Sequence, residues 1–210
     1  MTQVLILFAH PALEKSRVHR RLVSAAQSVP GVTFHDLYEA YPAFDIDVRR
    51  EQALLLAHDL IVVQHPFYWY STPALVKQWE DLVLEHGWAY GSTGHALRGK
   101  QWLSVISTGG RAEAYRHAGY NRFTLRELLA PLEQTAYLCG MTFLPPLVYH
   151  GTHRMSDADI EQAAGHYRTV LTALRDATLD LAALPAHATL NDALASLPAP
   201  QSVTAWAVTA

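Results

Sequence analysis

The sequence predicts an α/β protein: a five-stranded parallel sheet of order 2-1-3-4-5 with helices on both faces. Three observations lead there. Short apolar runs rich in β-branched residues carry no polar alternation, which is how strands buried on both faces read. Segments with apolar residues at helical spacing separate those runs. Strand and helix therefore alternate, and right-handed crossovers place the helices on both sides of the sheet.

The first run is Val4-Leu5-Ile6-Leu7-Phe8-Ala9, stopped by His10-Pro11. Val18, Leu22, Ala25, Ala26 and Val29 then repeat at helical spacing until Pro30-Gly31. Val32-Thr33-Phe34 begins a second strand, and Arg49–His58 a short helix with Ala53, Leu54 and Ala57 as its inner stripe. Leu60-Ile61-Val62-Val63-Gln64 is the third strand. Pro73 suits the first position of the next helix, with Ser71 or Thr72 as cap and Leu75, Trp79, Leu82 and Val83 along one face. Trp102–Ser107 is the fourth strand. Thr124 and Glu127 have capping-box spacing ahead of a helix that Pro131 should kink and Gly140 should close. Phe143–Tyr149 is the fifth strand, weakened by Pro145 and Pro146. A last helix runs from Ser156 to about Ala177, with Ile160, Ala164, Val170 and Leu174 inward.

The chain has 210 residues, half of them apolar, enough for one full core. No apolar run approaches the roughly 20 residues that cross a bilayer. One cysteine, Cys139, excludes an internal disulfide framework and suits a reducing, cytoplasmic setting. A formal net charge of −3 argues against a nucleic-acid partner. The organisation expected is a globular unit over residues 1–179 and an Ala/Pro-rich tail over 180–210, loosely docked or disordered, whose apolar residues such as Trp206 could cover a neighbour.

In an open sheet of this order, ligands bind beyond the carboxyl ends of the strands, between strands one and three. The first loop there, His10 to His19, leads into a helix whose free N–H groups favour an anion, with Ser16 adding a hydroxyl and His10 and Arg17 cationic or hydrogen-bonding capacity. The bland alternative is a capped helix start with two surface cations. The second loop, Pro66-Phe67-Tyr68-Trp69-Tyr70, offers planar faces for stacking, or else a hydrophobic plug. The third, Ser107-Thr108-Gly109-Gly110, lets backbone N–H groups approach a ligand closely, as an ordinary tight turn also would. Together the three describe a flat, phosphorylated cofactor, and flavin mononucleotide (FMN) suits them.

With these residues the chain resembles the flavodoxin-like NAD(P)H:quinone oxidoreductase family. It is most similar to a bacterial branch, the ancillary flavoprotein subunits of glutathione-regulated potassium-efflux systems. The resemblance rests on His10-Pro11 with Ser16, Asp36-Leu37-Tyr38, Tyr41-Pro42, Gln64-His65-Pro66, Trp69-Tyr70-Ser71, Pro73–Lys77, His86–Gly91, Thr108-Gly109-Gly110, Cys139-Gly140 and Leu144-Pro145-Pro146. It covers roughly residues 3 to 176. It implies a homodimer with one FMN per subunit, NADH or NADPH as donor, and a quinone or similar electrophile as acceptor in a ping-pong reaction. The phosphate contacts it implies are His10, Ser16, Arg17, Val18 and His19. Those to the ring are Phe67, Tyr68, Trp69 and Tyr70, and those to its pyrimidine edge are Ser107, Thr108, Gly109 and Gly110. Tyr115 is the implied aid to hydride transfer. Asn121 stands where mammalian relatives carry a histidine, His19 where many members have Asn, and Tyr68 where many have Gln. Asn cannot supply a proton near neutral pH, and His117 is the nearby candidate to replace it. The resemblance also implies a regulatory alternative: a subunit that activates a membrane potassium-efflux transporter, peripheral at the inner membrane.

A hydrolase or metal enzyme is the remaining rival, prompted by 12 histidines. No Gly-x-Ser-x-Gly elbow occurs, and the spacing of His150 and His153 lacks supporting carboxylates. Cys139, at a helix end, should pack rather than react.

Overall fold

In the computed structural model, which describes residues 1–184 and 187–196, strand β1 (Val4–Phe8) is buried along its whole length. Leu5 and Leu7 belong to one apolar cluster, while Val4, Ile6 and Phe8 belong to another. A strand that feeds two cores has no polar face to show, hence the unbroken apolar run. β1 pairs in parallel with β2 (Val32–Asp36) on one side and β3 (Leu60–Pro66) on the other. β3 pairs with β4 (Gln101–Ser107), giving the order β2-β1-β3-β4-β5 that the sequence predicts.

The fifth strand is two strands. β5 (Thr142–Phe143) lies against Gln101 and Trp102, and β6 (Leu147–Tyr149) against Val105 to Ser107 of the same β4. Leu144-Pro145-Pro146 stand between them, opposite only Leu103 and Ser104 of β4, and the prolines have no N–H for the ladder.

Helices α1 (Arg17–Gln27) and α7 (Asp157–Arg175) cover one face. The other carries α2 (Leu37–Ala40), α3 (Val48–Ala57), α4 (Ala74–Val83), α5 (Leu125–Leu128) and α6 (Ala130–Leu138). Thr124 and Glu127 form the expected capping box. The single kinked helix expected there is broken at Leu129, and Pro131 falls in the first turn of α6, where its missing N–H costs nothing. Pro73 caps α4 rather than opening it, without a side-chain bond from Ser71 or Thr72. Leu82 points outward from α4.

Of the inner stripe expected for α3, Leu54 packs against the core, but Ala53 and Ala57 are exposed, and the fully buried side chains are Glu51 and Leu55. Glu51 is fully enclosed. Its Oε1 accepts from His35 Nε2 at 2.8 Å and from the Tyr41 hydroxyl at 2.5 Å, and its Oε2 from Trp79 Nε1 at 2.9 Å. One carboxylate thereby ties β2, α3 and α4 together, and α4 in turn fixes the loop that precedes it. Burial alone would raise its pKa, but the three donors outweigh burial and hold it below the usual carboxylate value.

The described part of the stretch expected to be a tail packs on β6. Leu184, Leu190 and Ala193 join the second core, and α8 (Leu190–Ser196) presents Asn191 to the strand. The Asn191 amide accepts from Val148 N at 2.9 Å and donates to Val148 O at 3.1 Å. Residues 185, 186 and 197–210, Trp206 among them, lie outside the described residues. No described helix is long and apolar enough to cross a membrane.

Candidate active site

The parallel registers bring strand ends to one rim: Phe8 lies beside Gln64, Pro66 beside Ser107, and Ser107 beside Tyr149. The three loops singled out in the sequence leave from that rim and touch. His10 meets Tyr68 edge-on at 6.0 Å between ring centres, and His19 Nε2 lies 2.8 Å from Ser107 Oγ. Phe67 lies 6.3 Å from the Tyr115 ring, and the Tyr70 hydroxyl donates to Asn121 Oδ1 at 3.3 Å. A fourth loop, after β6, joins them.

At the first loop, Ser16 caps α1 by accepting from His19 N at 3.0 Å. Its hydroxyl hydrogen stays available, and the amides of Arg17 and Val18 open the helix without intrahelical partners. The Val18 side chain goes into the core. His19 is buried, and its Nδ1 has no partner. Burial, with His10 and His65 adding repulsion, holds His19 well below the ordinary histidine pKa. Burial likewise lowers His10, against Glu14, and its Nδ1 accepts from Ala12 N at 3.1 Å. Burial thus disfavours the cation at both rings, and of the two capacities expected of His10 it favours the hydrogen-bonding one. The Arg17 guanidinium turns to Asp157 (2.7 Å) and to the Met155 carbonyl (3.1 Å), so this residue offers the site its amide.

The aromatic loop divides. Phe67 is buried, whereas Tyr68 and Ser71 bridge a tight hairpin with Trp69 and Tyr70 at its tip. Both tip residues have positive φ, 51° and 65°, the geometry of a type I′ turn that Asn and Gly normally occupy. For bulky residues this costs on the order of 1–2 kcal/mol each. Trp69 is 93% exposed, so packing within this chain does not offset the strain.

At the third loop, close approach accounts for the glycines. A Cβ on Gly109 would stand 2.6 Å from His153 Nε2, and one on Gly110 would stand 3.3 Å from the Tyr115 ring. Gly119 lies against the Glu113 carbonyl, where a Cβ would come within 2.4 Å, and Asn121 N donates to Ala114 O at 3.0 Å. These contacts fold the 111–121 segment beside a cavity of about 580 Å³ lined by Gly109, Gly110, Arg111, Tyr120 and Arg154. Burial raises the Tyr115 pKa, with Tyr70 adding to the rise and the neighbouring Thr108 and Asn121 side chains partly offsetting it.

His150 was not legible as a site residue. Its Nδ1 lies 2.9 Å from Thr108 Oγ1, and its ring centre 5.6 Å from that of Tyr115. The Thr108 hydroxyl donates its one hydrogen to Gly110 O at 2.8 Å, so His150 Nδ1 carries the hydrogen between them. Burial lowers the His150 pKa and keeps the ring neutral. His117, the candidate from sequence, is 71% exposed in its side chain and faces Glu127 instead. The signal for His150 was its place at the end of a strand on the same rim.

The chain belongs to the family described as "Flavodoxin-like fold", which matches residues 2–171. It is 45% identical over 165 residues to a Bacillus subtilis protein named as an uncharacterized NAD(P)H oxidoreductase, YdeQ, covering 79% of this chain and 84% of that one. It is 47% identical to the glutathione-regulated potassium-efflux system ancillary protein KefG of Serratia proteamaculans, covering 79% and 90%. Among solved structures it resembles general stress protein 14 from Treponema denticola in complex with FMN, with a TM-score of 0.78, 40% identity, and coverage of 82% and 99%.

Proposed function

We propose that this protein is an FMN-dependent NAD(P)H dehydrogenase that passes two electrons to a quinone or similar small electrophile. The observation that carries this reading is the meeting of an open helix N-terminus, an exposed aromatic hairpin and a Gly-Gly turn on one rim. The orphaned Nδ1 of buried His19, the free amides beside it and the close Gly109 cradle fit a phosphate at one end and a flat ring at the other. The solved FMN complex of a 40%-identical relative supports the choice of cofactor.

Arg17 and Val18 would hold the phosphate through backbone N–H groups, with the Ser16 hydroxyl, His10 and the unpartnered His19 Nδ1 beside them. Trp69 and Tyr70, with Tyr68, would form the stacking shelf, and the amides of Gly109 and Gly110 would stabilise negative charge on the ring's edge. When bound, FMN supplies hydride acceptance and donation. Tyr115 keeps its proton at the hydroxyl oxygen, because burial raises its pKa, and would offer it as a hydrogen bond to the bound ring. Thr108 and His150 support the phenol from behind. Asn121 orients Tyr70 and Tyr115 and supplies no proton. One open face serves nicotinamide and quinone in turn, so the kinetics are ping-pong.

The exposed rings of Trp69 and Tyr120 beside this rim suit a second copy, and a homodimer completes the site. Residues 1–179 would hold the flavin, and the described residues from Leu184 to Ala193 brace the sheet. The KefG relative motivates a second reading: a regulatory subunit that activates a potassium-efflux transporter at the inner cytoplasmic face.

The purified protein should be yellow, bleach with NADH or NADPH without oxygen, and recolour with a quinone, giving parallel double-reciprocal plots. A colourless protein that FMN cannot activate would end this reading. Tyr115→Phe should lower kcat about a hundredfold with flavin still bound. Enhanced potassium efflux in cells, unaffected by Tyr115→Phe, would favour the regulatory role.

A further inference from the structure

The cavity beside Gly109 and Gly110, of about 580 Å³, lies within the roughly 300–1,000 Å³ typical of small-molecule sites. Two arginines line it, Arg111 and Arg154, which follow different strands and are distant in the chain. A backbone stitch brings them together. Gly151 N donates to Gly110 O at 2.9 Å, and Arg154 N donates to Gly151 O at 2.8 Å. Gly151 turns at a φ of 69°, and a Cβ placed on it would stand 3.9 Å from Arg111 Cγ. The loop after β6 thus runs along the loop after β4, and each carries one guanidinium.

Other arginines of the chain are answered by carboxylates. Arg17 pairs with Asp157, Arg21 with Glu161, Arg126 with Glu133 and Arg175 with Asp176. Arg111 and Arg154 are exposed, and neither side chain has an ion pair or hydrogen bond among the described residues. Glu113 is the one acidic residue of the lining, and it too lies beyond ion-pair distance of both. The cavity therefore holds uncompensated positive charge, although the chain as a whole carries a formal net charge of −3. A guanidinium is a planar fork of N–H donors that matches phosphate oxygens two at a time.

We propose that Arg111 and Arg154 bind the 2′-phosphate of NADPH and so make it the preferred electron donor over NADH. The assignment rests on the flavin reading above, which makes a reduced nicotinamide dinucleotide the substrate at this rim. NADH carries a hydroxyl where NADPH carries a phosphate, so the two donors differ at the group that paired guanidiniums recognise. Their shared pyrophosphate feels the same field in both and adds nothing to the choice. Glu113 opposes the phosphate and moderates the preference. Of the residues lining the cavity, only Tyr120 marks the surface proposed for the second copy.

Calorimetric titration of the FMN-loaded, full-length protein with NADP+ and NAD+, which bind without turnover, tests the assignment. At low ionic strength NADP+ should bind about tenfold more tightly than NAD+, and added salt should narrow the gap. Arg111→Gln and Arg154→Gln should each weaken NADP+ about threefold more than NAD+, and the double variant should bind the two alike. The KM for NADPH should rise in step, while that for the quinone, which has no phosphate, should not move. Glu113→Gln keeps both arginines and should tighten NADP+ more than NAD+, which serves if the arginine variants do not fold. No preference for NADP+ in the wild type, or a preference that survives in the double variant, overturns the assignment. The flavin reading would then still stand, because FMN uptake and bleaching by either donor are read separately. A chain that takes up no FMN removes both.

Discussion

Glu51 and Glu80 sit on neighbouring helices against the same face of the sheet, and both are buried. Glu51 receives three hydrogen bonds and is held below the usual carboxylate pKa. Glu80 has an oxygen that receives none and is driven up to about 7. The same side chain is thus a structural rivet in one place and an unmet demand in the other. Burial depth does not distinguish them; the supply of donors does.

The sharpest way to break this contrast is Glu51→Ala, which leaves His35, Tyr41 and Trp79 without their shared acceptor. It should destabilise the fold by about 3–5 kcal/mol in urea unfolding at pH 7. Glu80→Gln should do the opposite and raise stability at pH 8 by about 2–3 kcal/mol. The sign follows from linkage: a carboxyl whose folded pKa is raised costs stability as pH climbs from the ordinary value near 4.5 toward 7, and costs nothing below that window. Stability-pH curves of the two variants should therefore diverge from wild type in opposite directions. Glu51, with its pKa lowered on folding, supports the fold above the ordinary carboxylate pKa and loses that support as acid carries pH through its folded value. The mildest probe is Tyr41→Phe, which removes one of three donors and should cost about 1 kcal/mol, read as a small drop in the urea midpoint.

The sequence could not tell these glutamates apart. Charge inside a helix reads as solvent-facing, so the pattern points to Ala53, Leu54 and Ala57 as the α3 stripe, of which Leu54 alone packs on the core beside Glu51 and Leu55. Donors on β2 and α4 decide the matter, and they are distant in the chain. Elements with a local cause were legible: doubly buried strands from unbroken apolar runs, the Thr124 capping box from its spacing, and the fifth strand's weakness from two prolines. The helix at Leu190–Ser196 was not, because its hold on the sheet comes through Asn191 and strand β6. At the site, the rule that loops meet where strand order reverses placed three loops together correctly. It could not foresee that Arg17 would turn to Asp157 across the chain, or that His150 would stand behind Tyr115.

The pair of bonds between Asn191 and Val148 has a consequence beyond packing. A strand at a sheet's margin offers its free N–H and C=O to any extended chain that drifts past, a standing invitation to aggregate. Here a single side-chain amide imitates the missing neighbour and seals that margin at its middle residue. Helix α8, within the stretch that reads as a loose tail in the sequence, thus occupies the backbone groups through which a second strand would pair at that point.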